Sequence, residues 1–200
     1  MLDLLDYRQR VHALYRIVRE SSGDPYVFVQ FRLERDMLFK HHTQSALNED
    51  QRASFGGLTY FDYNSAFRVV AQVDTVVPPE VFTVELAEDG VLRYRRFGRV
   101  NFTLPTGSGT LSLYWIMGYG GGLFLPFGDA TNNGDTYGGG RYLYDTIKGA
   151  DVGAGLDTIV LDFNYAYNPS CAYNPRWVCP LTPPENRLPL PCRRGKTYSW

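Results

Sequence analysis

Residues Phe67–Trp115 read FRVVAQVDTVVPPEVFTVELAEDGVLRYRRFGRVNFTLPTGSGTLSLYW. Phe67, Val69, Ala71 and Val73 alternate with Arg68 and Gln72, and Phe82, Val84 and Leu86 alternate with Thr83 and Glu85. Leu111, Leu113 and Trp115 alternate with Ser112 and Tyr114. Successive side chains on a strand point to opposite faces, so this pattern marks segments with one buried face. Glu88-Asp89-Gly90 offers a hairpin turn and Pro105–Gly109 another. Short strands joined by turns, without intervening helical patterns, argue against a parallel α/β sheet. They predict a mainly β, α+β fold built on an antiparallel β-barrel or sandwich.

Toward the N-terminus the period lengthens. Leu4, Leu5, Val11, Leu14, Tyr15 and Val18 form a helical stripe within Asp3–Glu20, which Ser21-Ser22-Gly23 should end. Tyr26–Phe31 has strand propensity, but the residues that follow favour helix and no Gly or Pro intervenes. A second helix is therefore predicted, with Asp24 as N-cap, Pro25 in its first turn, and Val29, Leu33 and Met37 on one face. His41 and His42 at its end suit the helix dipole, and being adjacent they chelate poorly. Asn48–Ser54 reads as a polar loop. Beyond residue 168 lie seven prolines (169, 175, 180, 183, 184, 189 and 191), with Trp177, Val178, Leu181, Leu188 and Leu190 among them. Apolar residues in such a tail predict a strap packed on the core rather than a disordered end. The expected layout is one domain over 1–200, with a helical segment 1–47, a β core 55–167 and a Pro-rich strap 168–200.

Composition narrows the function. A net charge of −1 lacks the basic face that nucleic acid requires. No apolar run is long enough to span a membrane, and the charged start has no secretory core, so a cytoplasmic protein is expected. Three late cysteines, Cys171, Cys179 and Cys192, cannot make a full disulfide framework and do not match a zinc pattern. Buried free thiols are the plainer reading, and a Cys171–Cys179 bridge or redox pair is the second.

The densest chemistry lies between Leu123 and Asn186. Glycines at 118, 120–122 and 138–140 flank PFGDATNNGDTY. Neither phosphate-loop spacing is present, so these glycines suit bulges or close approach of another chain or ligand. DATNNGD lacks the twelfth-position Glu of a calcium loop and reads as an Asx-rich turn. Arg141 follows three glycines and could hold a carboxylate or phosphate in a fork, or pair with a structural acid. Thr158–Tyr165 reads as a strand with Asp162 and Asn164 on one face. In a closed barrel those two would point into a lumen, where Asp162 would partner Arg141; otherwise they would face solvent.

Two runs, PFGDATNNGDTYGGGRYL (126–143) and LDFNYAYNPSCAYNPRWVCPLTPPENRLP (161–189), resemble the bacterial family of unknown function DUF1684. FRLERDMLFKHHTQSAL (31–47) and FGGLTYFDY (55–63) fit the same resemblance. The matching positions include Asp129, Thr136, Tyr137, Arg141, Tyr142, Asp162, Asn164, Asn168, Cys171, Cys179, Glu185 and Asn186, and upstream Arg35, Asp36, His42 and Ser45. The chain departs from the family pattern at Lys196, where a Glu is usual, and at Cys192. The resemblance implies no known activity and no cofactor.

Three readings follow. The first is a small-molecule-binding protein whose anionic ligand sits in a pocket lined by Asp129, Thr136, Tyr137, Arg141, Tyr142, Asp162, Asn164, Asn168 and Glu185, with Arg141 as anchor. The second is a hydrolase or isomerase using Asp162 or Glu185 as base. The third is a purely structural network that locks the strap to the barrel. A connected hollow would favour the first two, and full burial with mutual hydrogen bonds the third. No metal site is read from the sequence, and it leaves the oligomeric state open.

Overall fold

The structure, a computed structural model, describes residues 1–86 and 90–198. Glu88 and Asp89 of the expected hairpin turn lie outside the described residues. Helix α1 spans Leu2–Glu20 and buries Val11, Leu14, Tyr15 and Val18. Leu5, expected on that face, is exposed. Helix α2 spans Pro25–His41 and starts as expected: the Asp24 carboxylate accepts the Tyr26 N–H at 2.9 Å, and Pro25 occupies the first turn. Its buried face is Phe28, Phe31, Arg35, Leu38 and Phe39, while Val29, Leu33 and Met37 form an exposed stripe. The segment read as a loop contains a short helix, α3 (Glu49–Ala53), closed by a reciprocal capping box between Asn48 and Gln51.

The strands are β1 (Arg68–Asp74), β2 (Val81–Glu85), β3 (Val91–Leu104), β4 (Gly107–Ile116), β5 (Gly122–Phe127), β6 (Arg141–Asp145) and β7 (Thr158–Asp162). They form one antiparallel sheet in the order β6-β5-β4-β3-β1-β7, with β2 added on β3, and the sheet curls into a half-barrel. The β3–β4 turn is tighter than expected, with Leu104 already pairing Gly107. β7 stops at Asp162, whose carboxylate accepts the Asn164 N–H and turns Phe163–Tyr165 into a 3-10 helix. Arg141 opens β6, and Tyr137 and Gly139 precede the strand.

One continuous core joins Val11, Tyr15, Phe28 and Phe31 of the helices to Val100, Phe102, Leu111, Phe127, Leu161 and Phe163 of the sheet region, and to Leu188 and Leu190 of the strap. Backbone hydrogen bonds help to hold the strap. Gly128 N–H donates to Asn186 O, Leu188 N–H to Gly128 O, and Lys196 N–H to Ala166 O, at 2.8–2.9 Å. Two of its apolar residues, Val178 and Leu181, stay exposed. Gly140 explains part of the glycine run: its φ is +91°, and a Cβ there would meet Thr182 Oγ1 of the strap at 2.1 Å. Among the described residues no helix is long and apolar enough to cross a membrane.

Candidate functional site

The residues nominated from sequence do not converge on one hollow. Asp129, Thr136 and Arg141 form a sealed knot. Arg141 Nη2 donates to Asp129 Oδ2 at 2.5 Å and to Cys192 O at 2.8 Å, and Nη1 donates to Arg194 O. Thr131 donates its N–H and its hydroxyl to Asp129 Oδ1, and Thr131 Oγ1 lies 2.8 Å from Thr136 Oγ1. Both side chains of the ion pair are 0% exposed. Arg141 Nε is buried without a hydrogen bond, but full burial and the bonds that both Nη atoms and both carboxylate oxygens make favour a structural network.

Asp162 does not partner Arg141. The β1–β7 register places Asp162 opposite Arg68, and the two form an ion pair at 3.7 Å. Burial pushes the Asp162 carboxyl up to about 6, against hydrogen bonds from Asn164 and the charge of Arg68. Asn164 closes on the Asn64 backbone, accepting its N–H at 2.9 Å and donating to its carbonyl at 3.0 Å. Glu185 lies elsewhere again, accepting from Arg96 and from the Tyr114 hydroxyl, both at 2.8 Å. Tyr142 donates to Pro180 O, and Tyr137 sits 3.7 Å from Cys171 Sγ. A hollow of about 630 Å³ runs between α1 and α2, lined by Leu14, Ile17, Phe31, Leu33 and Met37 among others, and no nominated residue borders it.

Asn168 belongs to a different cluster, which sequence reasoning did not assemble. Its centre is Arg35, 8% exposed on the buried face of α2. The guanidinium lies 5.1–5.6 Å from the ring centres of Phe31, Phe39 and Tyr167. The buried phenols of Tyr60, Tyr15 and Tyr173 belong to its surroundings. Arg35 Nε, the hydroxyls of Tyr15, Tyr60 and Tyr173, and Asn168 Oδ1 are all buried and make no hydrogen bond of good geometry, with Tyr60 lying against Arg35 and Tyr173 against Asn168. Among the described residues no carboxylate forms an ion pair with Arg35: Asp36, next in sequence, turns instead to the Leu58 N–H at 2.8 Å. Lys196, fully buried nearby, brings a second cationic group, and burial followed by the Arg35 charge lowers its ammonium to about 7.

This cluster holds five of the nine buried side-chain atoms that make no good hydrogen bond among the described residues. Three cation–π contacts stabilise a desolvated guanidinium by about 1–2 kcal/mol each. Each buried polar group left unpaired costs about 1–3 kcal/mol, and more when charged, and five such atoms lie together here. The arrangement suits an anion that accepts from Arg35 and the phenols at once. A sequence signal for Arg35 existed: it occupies a core position in the stripe Phe28, Phe31, Arg35, Leu38. Lys196 and Tyr173 carried no local signal, since only the fold brings them to α2.

Comparison with known proteins agrees with the architecture. The model of a family described as a protein of unknown function, DUF1684, matches residues 53–197. The solution structure of an uncharacterized protein from Haloarcula marismortui is 33% identical, covering 84% of this chain and 91% of that one, with a TM-score of 0.59. No curated protein matches the chain.

Proposed function

The chain belongs to the DUF1684 family, proteins of unknown function, and from that premise we propose that it binds a small anionic molecule through Arg35. The observation that carries this reading is the buried guanidinium with no ion-paired carboxylate among the described residues, set among phenol and amide groups that make no hydrogen bond of good geometry. The ligand class is a phosphate or carboxylate head, which would accept from Arg35 and from the hydroxyls of Tyr15, Tyr60 and Tyr173. Lys196 adds charge when protonated, and Phe31, Phe39 and Tyr167 keep the guanidinium in place.

Arg141 has another role in this reading. Its full burial and its bonds to Cys192 O and Arg194 O support a lock that fastens the strap to the sheet. Asp162 and Glu185, the acids weighed as bases, each sit in an ion pair of their own, which supports binding over proton transfer.

The test is thermal shift with inorganic phosphate and short mono- and dicarboxylates, on wild type, Arg35→Met and Lys196→Glu. A ligand at a hundredfold its Kd adds about 2.7 kcal/mol, a Tm rise of roughly 5–10 °C for a chain of this size. Wild type should respond. Arg35→Met should not, and Lys196→Glu, which supplies an internal carboxylate, should lose most of the response. An equal response in Arg35→Met, or none in wild type, would overturn the proposal.

A further inference from the structure

The outer side of the helical pair carries apolar surface that the fold does not use. Val29, Leu33 and Met37 recur at every fourth residue of α2 and each is more than half exposed, and Ile17 of α1 is exposed beside them. We infer that this face is a homodimer interface, in which a second copy of the chain lays its α1 over α2 and its α2 over α1.

The extent of the apolar surface calls for a helical layer. The hollow of about 630 Å³ between the helices is lined by Ile17, Leu33 and Met37 among others, with the small Ala13 on the α1 wall. Val29 lies outside that lining yet is as exposed as its neighbours, so the apolar surface continues over the crest of α2. A small molecule in the hollow would leave the crest in water. Helices packed from the other side fill the hollow with side chains and cover the crest at once.

Charge selects a second copy as that layer. Arg10 on the α1 wall and Glu34 on the α2 wall both line the hollow. Among the described residues Glu34 makes no ion pair, and Arg10 pairs only with Asp6, on the exposed surface. The helices run antiparallel, with Tyr15 on Phe31 at 5.3 Å between ring centres and Tyr7 on His42 at 5.1 Å. Counted from the level of Tyr15 and Phe31, Arg10 and Glu34 lie in the same direction along the pair, within about 3 Å of each other in height. A two-fold axis parallel to the helices and midway between them therefore sets Arg10 of each copy against Glu34 of the partner subunit. Opposite charges meet twice across one self-complementary face.

The size of the face is adequate. Helices of 19 and 17 residues are about 25–28 Å long and together about 20 Å across, a flat footprint of roughly 500–600 Å². Side-chain relief enlarges that toward the roughly 800 Å² that each partner buries in a standard interface.

Sedimentation of the full-length chain from about 1 to 200 µM, the weaker end of the affinities such areas give, tests the inference. The expected species at the upper end is a dimer of twice the 22.7 kDa of one chain. Leu33→Glu places a charge from each copy in the middle of the face and should leave only monomer. Arg10→Glu and Glu34→Arg should each weaken the dimer about tenfold or more, because like charges then meet across it. An equimolar mixture of those two variants restores both attractions and should dimerise again. All three positions are exposed, so each variant should keep the helical circular dichroism of wild type. A chain that stays monomeric throughout, with or without a small amphiphile carried in native mass spectrometry, overturns the inference. So does a dimer indifferent to Leu33→Glu, or a mixture of the two charge variants that fails to pair. None of these readouts requires an anion at Arg35, which lies on the buried face of α2.

Discussion

The side-chain amide of Asn186 pairs with the backbone of Ser112 as a strand residue would: Oδ1 accepts the Ser112 N–H at 2.8 Å and Nδ2 donates to Ser112 O at 2.9 Å. The β4–β5 ladder explains the need. Tyr114 pairs Phe124, so in register Ser112 faces Pro126, which has no N–H to offer. Asn186 also donates to Pro126 O at 2.8 Å, so one strap residue completes the sheet where proline interrupts it.

Asn186→Ala removes those three bonds and leaves buried backbone groups of Ser112 and Pro126 unpaired. The expected loss is about 3–5 kcal/mol, read from urea unfolding. A loss below about 1 kcal/mol would mean that the gap heals by itself.

Arg141→Met leaves the Asp129 carboxylate buried without its cation and should destabilise the protein by about 3–5 kcal/mol. Asp129→Leu/Arg141→Met removes both charges and should lose clearly less than the sum of the single changes. Additive losses in a double-mutant cycle would show that the pair is not coupled.

For Asp162 the sign follows from its raised pKa. The folded chain holds that proton more tightly than the unfolded one, so stability falls as pH rises from about 4 to about 6. The loss from this group is on the order of 2–3 kcal/mol. Asp162→Asn keeps an oxygen for Asn164 and should flatten that part of the profile. Identical pH dependence in the two proteins would refute the assignment.

Lys196 gives the opposite slope. Its ammonium is lowered to about 7, so the folded chain releases a proton that the unfolded chain keeps, and stability rises as pH climbs from about 7 toward the ordinary lysine range. The gain is a few kcal/mol. Lys196→Met should abolish it. If an anion binds beside Arg35, protonated Lys196 favours it, so affinity should strengthen below pH 7; calorimetry in buffers of different ionisation enthalpy would register the proton uptake.

Much of the architecture was legible because it rests on local rules. Alternation in Phe67–Trp115 gave antiparallel strands, and Asp24-Pro25 gave the start of α2. The face of α2 was misjudged for a local reason as well. Val29, Leu33 and Met37 look like a core stripe, but the parallel stripe through Phe28 and Phe31 has larger rings to bury, and it carried Arg35 inward with it. The Asn48–Gln51 capping box was readable too, since Asn followed by Gln at the third helical position is a known start signal.

The candidate site was legible only as a collection of residue types. The sequence by itself determined that acids, amides, tyrosines and one arginine crowd the late strands, that the strap has apolar anchors, and that Arg35 interrupts an apolar helix face. Tertiary structure decided which of them meet. Strand register set Arg68 rather than Arg141 against Asp162, and the returning strap carried Lys196 and Tyr173 to α2. The physical reason is that periodicity specifies which face a side chain occupies, whereas its partner depends on register and on chain return, which are settled by contacts between residues far apart in sequence.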